Sequence, residues 1–350
     1  MTARVPLPPS RAARDARSAA PVATDDASAA RASVASTSPD RGPLSPRQFG
    51  TFIGLVVLCG VLWILTPHFL TVSNLLNVAE QTSINALVSV GMTFVILSAG
   101  IDLSVGSLVA LAGVVLGTAL QTGQPLPIAL ALALATGFAC GIGNGLLISW
   151  GGLPPFIVTL GTMSIARGAA LLFTEGRPIS GFGAGFRALA TARAGFVPAP
   201  VIIMAAVYAA AHFVLTRTTF GRYVYAIGGN EEATRLSGVA IRFHKTMIYG
   251  VSGLMSATAA VILTARLNSA QPIAGMMYEL DAIAATVIGG TSLMGGEGTL
   301  GGTLVGALIM GVLRNGLNLL GVSSFLQQIV IGAVIVVAVL LDRTLKHRGD

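Results

Sequence analysis

The chain has 350 residues, 53% of them hydrophobic and only 10% charged, with a mean hydropathy of +0.80. Those values exclude an ordinary soluble domain. The net charge of +7 would suit a nucleic-acid binder, but the positive charges sit in a tail and in short segments between apolar runs, which argues against nucleic acid as a partner.

Residues 1–48 are rich in Ala, Ser, Pro and Arg, with seven arginines, four aspartates and no apolar run. This composition predicts a disordered tail. It has no apolar stretch of the kind a secretory signal needs, and its aspartates argue against a transit peptide. Ten apolar runs follow, at about 49–66, 76–98, 104–121, 128–149, 155–173, 200–216, 246–266, 279–291, 300–320 and 326–342. A membrane span needs roughly 20 such residues. The eighth run is short enough to be a half-helix, which is tolerated only where protein or a cavity covers it. The expected fold is an all-α polytopic membrane protein of about ten transmembrane helices over 49–342, with a short tail at 343–350. Cys59 and Cys140 both lie in apolar runs and are expected to be small buried hydrophobes rather than a disulfide or metal pair. The four histidines have no metal-ligand spacing.

Lys and Arg set the orientation. With the N-terminus in the cytoplasm and the runs alternating, fifteen fall on inner segments and three, Arg177, Arg187 and Arg193, on outer ones. Both termini and the stretch 217–245 are therefore predicted to be cytoplasmic. Arg167, Arg266 and Arg314 fall inside or at the ends of spans.

Between the second and third runs, Gly100-Ile101-Asp102-Leu103-Ser104 places an acid near the membrane. Asp102 or Ser104 can N-cap the next helix, and Asp102 can equally line a pathway. The turn at 150–155, with Gly151, Gly152 and Pro154, has the residues of an ordinary tight turn. Buried Arg167 and Arg314 need partners, for which Glu80, Glu279 and Asp281 are the candidates. Asn144, Asn315 and Asn318 suit interhelical hydrogen bonds first and a pathway lining second. The segment 174–199 is the long exposed outer loop; its three arginines either meet carboxylates on a docking partner or are simply solvated. A faint echo aligns 99–109 with 295–305, with identities at Gly100/Gly296, Gly106/Gly302, Leu108/Leu304 and Val109/Val305.

The stretch 217–245 holds five Lys and Arg. At its centre Asn230 can N-cap a very short helix, Glu231 and Glu232 suit the positive helix start, and Gly238 suits the stop. Glu231 and Arg235, four apart, are expected to pair. Such a helix is too short to persist alone and must dock on its own membrane domain or on a partner. The chain contains no G-x-x-x-x-G-K-[ST] phosphate loop.

Three stretches carry a resemblance to a known family: GGNEEATRLSGV at 228–239, GMTFVILSAGIDLSVGSLVALAG at 91–113, and YELDAIAATVIGGTSLMGGEGTLGGTLVGALIMGVLRNGLNLLGVS at 278–323. Together they resemble permease subunits of ATP-binding-cassette importers of the ribose, xylose and arabinose type, from about residue 49 to 342. Glu232-Ala233 before Gly238 also resembles the E-A-A-x-x-x-G signature, with Thr234 in place of its second alanine. The resemblance implies a monosaccharide permease of the bacterial inner membrane that is not itself an enzyme. A separate cytoplasmic ATPase would bind ATP and Mg, so this chain would hold no cofactor. It further implies an extracytoplasmic sugar-binding protein, docked at Arg177, Arg187 and Arg193, and a second permease subunit in a homodimer. Gly229, Asn230, Glu231, Glu232, Arg235 and Gly238 become the segment coupled to the ATPase. In related cobalamin-importer permeases the matching inner turns form a cytoplasmic gate, which implies gate roles for Gly100, Asp102, Ser104, Gly151, Gly152 and Pro154; Asn315 is expected along the pathway as a polar group within a span. Permeases for nucleosides or branched-chain amino acids, and an ion-coupled secondary transporter, are the alternatives.

Overall fold

A computed structural model describes residues 46–346. The tail expected over 1–48 lies outside the described residues except for its last three positions, which begin the first helix. The expected C-terminal tail likewise starts inside a helix that runs to Lys346, and 347–350 lie outside.

Each of the ten apolar runs falls on a helix: α1 (Pro46–Leu65), α2 (Val72–Leu97), α3 (Val105–Gln121), α4 (Leu126–Ser149), α5 (Pro155–Thr174), α7 (Ala199–Arg217), α10 (Ile241–Leu267), α11 (Tyr278–Ile288), α12 (Leu300–Leu319) and α13 (Ser324–Lys346). Of these, α2, α4, α5, α7, α10 and α12 are long and apolar enough to cross a membrane, while Phe49–Leu65, Val105–Gln121 and Ser324–Val337 are shorter apolar stretches. The eighth run is a short helix of 11 residues.

The core sits around α2 and α10, the two most buried of the long helices. Small residues allow their close packing. Gly137, Gly141 and Gly145 put one face of α4 against Gly253, Gly250 and Thr246 of α10, so closely that a Cβ at Gly141 would lie 3.0 Å from the Gly250 Cα. On the outside, α5 and α7 are mostly uncovered and present apolar side chains such as Ile165 and Leu172, as lipid-facing helices do. Cys59 and Cys140 are half-buried rather than fully buried, each at the margin of an apolar cluster.

Two segments expected to be loops are folded. Within 174–199 the chain forms β1 (Ile179–Ser180), α6 (Ala184–Thr191), β2 (Arg193–Ala194) and β3 (Val197–Pro198). Phe182 and Phe186 from this stretch meet edge-on and bury among Leu116, Ala129 and Val261. Aromatic burial of this kind is what makes a cap fold down instead of staying solvated. Within 217–245 lie α8 (Thr219–Gly229), which sequence reasoning did not identify, and α9 (Glu231–Leu236). Thr218 caps α8 by accepting from the Gly221 N–H.

The connection from α10 to α11 leaves helical geometry. β4 (Ser269–Ala270) pairs antiparallel with β1, Ile179 opposite Ala270, and the chain then passes between α3 and α5 before α11 starts. Polar backbone in such a place must be satisfied internally. The Arg167 guanidinium does this, donating to the carbonyls of Pro272 at 2.9 Å and Ala274 at 2.7 Å. Arg167 therefore hydrogen-bonds backbone, while Glu279, one of the carboxylates expected as a partner, acts on it through its charge.

Candidate functional site

Two further sets of contacts, one at each end of the bundle, join segments far apart in the sequence. At one end α8, α9 and the turns at 98–104 and 289–299 come together. α9 is built by local chemistry. Asn230 Oδ1 accepts from the Ala233 N–H at 2.9 Å. At the other end Gly238 has φ +83°, its N–H reaches the Arg235 carbonyl and the Val239 N–H reaches that of Thr234, the paired bonds of a Schellman stop. A Cβ at Gly238 would meet nothing within 4 Å, so the glycine is there for its left-handed backbone and not for tight packing.

The expected Glu231–Arg235 pair does not form. Arg235 instead binds Glu232, one turn away, and Glu231 accepts from Lys245 Nζ at 2.6 Å. The choice is geometric: Lys245, in the first turns of α10, draws Glu231 toward the bundle and leaves Glu232 to Arg235. The Arg235 guanidinium holds the exposed Glu232 carboxyl below its usual range. Thr234, the buried member of α9, donates to the carbonyls of Ala226 and Asn230, the latter at 2.7 Å, and so fastens α9 to α8. Leu236 points outward, 75% exposed.

α8 is seated on bare backbone. The Gly296 N–H donates to the Leu97 carbonyl at 2.9 Å. A Cβ on Gly228 would overlap that same carbonyl, and one on Gly295 would fall 2.9 Å from the Gly228 Cα. Three segments thus touch main chain to main chain: the end of α2, the end of α8 at Gly228-Gly229, and the α11–α12 turn at Gly295-Gly296. The first residues of the two echoing stretches also meet: a Cβ on Gly295 would fall 2.9 Å from the Ala99 backbone nitrogen. The signal for this junction in the sequence was the pair of Gly-Gly steps at the ends of segments.

Beneath it, Asp102 is completely buried. Its Oδ1 accepts from the Ser104 N–H at 3.0 Å and hydroxyl at 2.6 Å, and its Oδ2 accepts from the Ser252 hydroxyl at 2.7 Å. Asn144 donates to Ser104 Oγ at 3.0 Å, and the Thr162 hydroxyl donates to Asn144 Oδ1 at 2.5 Å. Ser104 occupies the cap position of α3 without a side-chain bond, and it is Asp102 that serves the helix start, accepting the Ser104 N–H two residues on. Through Ser104 and Ser252 the carboxylate also ties the start of α3 to α4, α5 and α10. A buried carboxylate must have its oxygens hydrogen-bonded, and here three donors do it. Gly100 leaves room for the Tyr249 hydroxyl, which a Cβ would approach to 2.5 Å. The turn with Gly151, Gly152 (φ +68°) and Pro154 lies beside this network: Arg242 of α10 stacks 5.1 Å above the Trp150 ring, and Thr159 contacts the Ile101 carbonyl at 3.4 Å.

A family profile described as "Branched-chain amino acid transport system / permease component" matches residues 74–339. The chain belongs to this permease family. The ribose import permease of Bacillus subtilis strain 168 is 50% identical over 299 residues, 85% of this chain and 93% of that protein. The D-allose transport system permease of Escherichia coli K12 is 40% identical over 298 residues, 85% and 91% of the two chains. The galactose/methyl galactoside import permease of the same strain is 38% identical over 315 residues, 85% and 94%. No solved structure matches.

In this permease Asn315 does not join the Asp102 network. It exchanges two amide hydrogen bonds with Asn74, at 2.9 and 2.8 Å, toward the opposite end, where α2 starts and α12 finishes. There Arg314 binds both carboxylate oxygens of Asp281 at 2.7 Å, one of the pairings expected from sequence, and Arg266 lies 3.9 Å from Glu80. Arg177, Arg187 and Arg193 are all exposed on the folded segment between α5 and α7. None of them forms an ion pair among the described residues.

Proposed function

We propose that this chain is the membrane-spanning subunit of an ATP-binding-cassette importer for a monosaccharide, with ribose the first sugar to test. The observation that carries this reading is the likeness to ribose, allose and galactose permeases over at least four fifths of the chain. Those relatives favour a sugar over a branched-chain amino acid, although the family description names the latter. The reading places ten spans in a bacterial inner membrane, both termini in the cytoplasm, supported by the fifteen-to-three division of Lys and Arg. A periplasm-only reporter fused near Gly183 is expected to be active and one near Asn230 silent.

In this reading ATP and Mg bind a separate subunit, in keeping with the missing phosphate loop. Two copies of the permease pair about a two-fold axis, the commonest symmetry of homo-oligomers. α9 sits in a groove of the ATPase, with Glu231, Glu232, Arg235 and Leu236 facing it and Gly229, Asn230 and Gly238 shaping the segment. Movement of α9 passes through Gly228 to the ends of α2 and the α11–α12 turn, and so to the buried network of Gly100, Asp102 and Ser104 and the neighbouring 150–155 turn as gate. Arg177, Arg187 and Arg193 take carboxylates of a sugar-binding protein on the far side.

The test is reconstitution in vesicles with the ATPase and binding protein. ATP-dependent uptake of labelled ribose, with hydrolysis stimulated by loaded binding protein, is the expected result. Uptake that persists without ATP and collapses with an ion gradient would assign a secondary transporter instead.

A further inference from the structure

Four non-glycine residues among those described have a left-handed backbone: Ala99, Glu175, Asn268 and Met277. Ala99 belongs to the α9 end, beside Gly295. The other three bracket two segments at the opposite end. Glu175 (φ +51°) opens the folded segment 175–198 after α5, Asn268 (φ +50°) ends α10, and Met277 (φ +69°) starts α11. Left-handed backbone outside glycine persists only where its surroundings enforce it, and it gathers at functional sites.

The two bracketed segments are bonded to each other. Ile179 and Ser180 of β1 pair with Ala270 and Ser269 of β4. Beyond the ladder the Gly181 N–H donates to the Asn268 carbonyl at 3.3 Å, and the Phe182 N–H to Asn268 Oδ1 at 3.0 Å. Asn268 thus ties the segments with its side chain as well as its backbone. Gly117 of α3 makes room for them, since a Cβ there would lie 2.8 Å from the Ala270 Cβ and 3.2 Å from the Phe182 ring.

From β4 to α11 the chain has no slack. Arg167 holds the Pro272 and Ala274 carbonyls. The Ala274 N–H reaches the Gln271 carbonyl at 3.0 Å, and the Tyr278 N–H reaches that of Gly275 at 3.2 Å. One turn into α11, Asp281 binds Arg314 of α12. A displacement of 175–198 therefore reaches α11 and α12 through main-chain bonds and one ion pair. Arg177, Arg187 and Arg193 are exposed on that same segment.

We propose that Asn268 is a positioning residue through which a docked sugar-binding protein controls transport. Its side chain fastens 175–198 to the α10–α11 connection, so that a partner seated on the arginines shifts α11 and raises ATP-driven turnover. The proposal rests on the binding-protein reading above and adds the route by which docking acts.

The test uses the full transporter in vesicles, with ATPase and loaded binding protein. Asn268→Gly keeps the left-handed backbone without strain but removes the Oδ1 acceptor, whereas Asn268→Asp keeps both. The glycine variant is expected to hold the binding protein as tightly as wild type. Its stimulated ATP hydrolysis should nevertheless fall about fivefold or more, the range of ordinary coupling between sites, and the aspartate variant should restore it. A second measurement leaves Asn268 in place. With Cys59→Ala and Cys140→Ala as background, Ser180→Cys and Ser269→Cys oppose each other across the ladder, within the span of a disulfide. If the two segments move as one body, oxidation leaves stimulation intact in that chain and recovers it when Asn268→Gly is added. Normal stimulation of Asn268→Gly, no rescue by aspartate, or loss of stimulation when the cysteine pair is oxidised would each overturn the proposal. So would weakened docking of Asn268→Gly, which would make Asn268 part of the docking surface instead. Failure of the binding protein to stimulate even the unmodified transporter would overturn the reading beneath it.

Discussion

The two ends of this permease are joined by different physics. At the α9 end, helix ends and turns meet through glycine backbone, Gly228 on Leu97 and Gly295 on Gly228, with no side chain between them. At the opposite end the same helices separate around a polar cavity and are held by an ion pair and by exchanged amides, Arg314 with Asp281 and Asn315 with Asn74. Backbone contacts do not adjust by rotamer change, so the first end can pass a displacement on without absorbing it. Side-chain pairs around a cavity can repack by changing rotamer.

The largest effect that would break this contrast is expected from Gly228→Val. The new side chain meets a carbonyl and a peptide nitrogen, neither of which can turn away, so destabilisation should reach or exceed the ~3 kcal/mol top of the usual overpacking range. Thermal melting of the detergent-solubilised protein measures it. Gly229→Ala is the internal control. Its Cβ would meet nothing within 4 Å, and near wild-type melting is expected; equal damage from both would mean that the junction is not built on close contact.

Next comes Asp102→Leu, which strips the acceptor from the Ser104 and Ser252 hydroxyls and the Ser104 N–H. Each orphaned group costs about 1–3 kcal/mol, so a marked fall in melting temperature and loss of uptake are expected. Asp102→Asn keeps part of the network and should fall between Leu and wild type. Normal uptake by the leucine variant would remove Asp102 from the gate.

Gly238→Val sharpens the comparison differently. There is room for the side chain, but the left-handed backbone costs an L-residue about 1–2 kcal/mol and a β-branched one is worst placed to adopt it. The loss falls on the stop of α9, so the bundle should melt as wild type while stimulated ATP hydrolysis and uptake both fail. A fully coupled Gly238→Val would remove α9 from the coupling path.

The smallest effect concerns the exposed Glu232–Arg235 pair. The Glu232 pKa is depressed in the folded chain, so the pair's support for α9 is complete above the ordinary glutamate pKa of ~4.3 and is lost as pH falls through the lower folded value. Solvent screening keeps it slight. Amide exchange at α9 should therefore quicken only on acidification below about pH 4, and Glu232→Gln should abolish that dependence.

Residue order alone determined the parts of this protein that depend on neighbours in the chain. Hydropathy over some twenty residues placed the ten apolar helices, and α9 was legible because Asn230 and Gly238 act on groups three to five positions away. α8 was missed because its apolar face exists to cover α2 and α7 and its length is too short to register as a span. What tertiary structure decided involves partners far apart in sequence. Asp102 became a fastener as well as a partner of the α3 start because Ser252, 150 residues on, supplies a donor. Arg167 took backbone carbonyls because the chain after α10 unwinds beside it. Glu231 left Arg235 because Lys245 folds back within reach. A local motif states what a residue can bond; only packing states which of several able partners arrives first and excludes the rest.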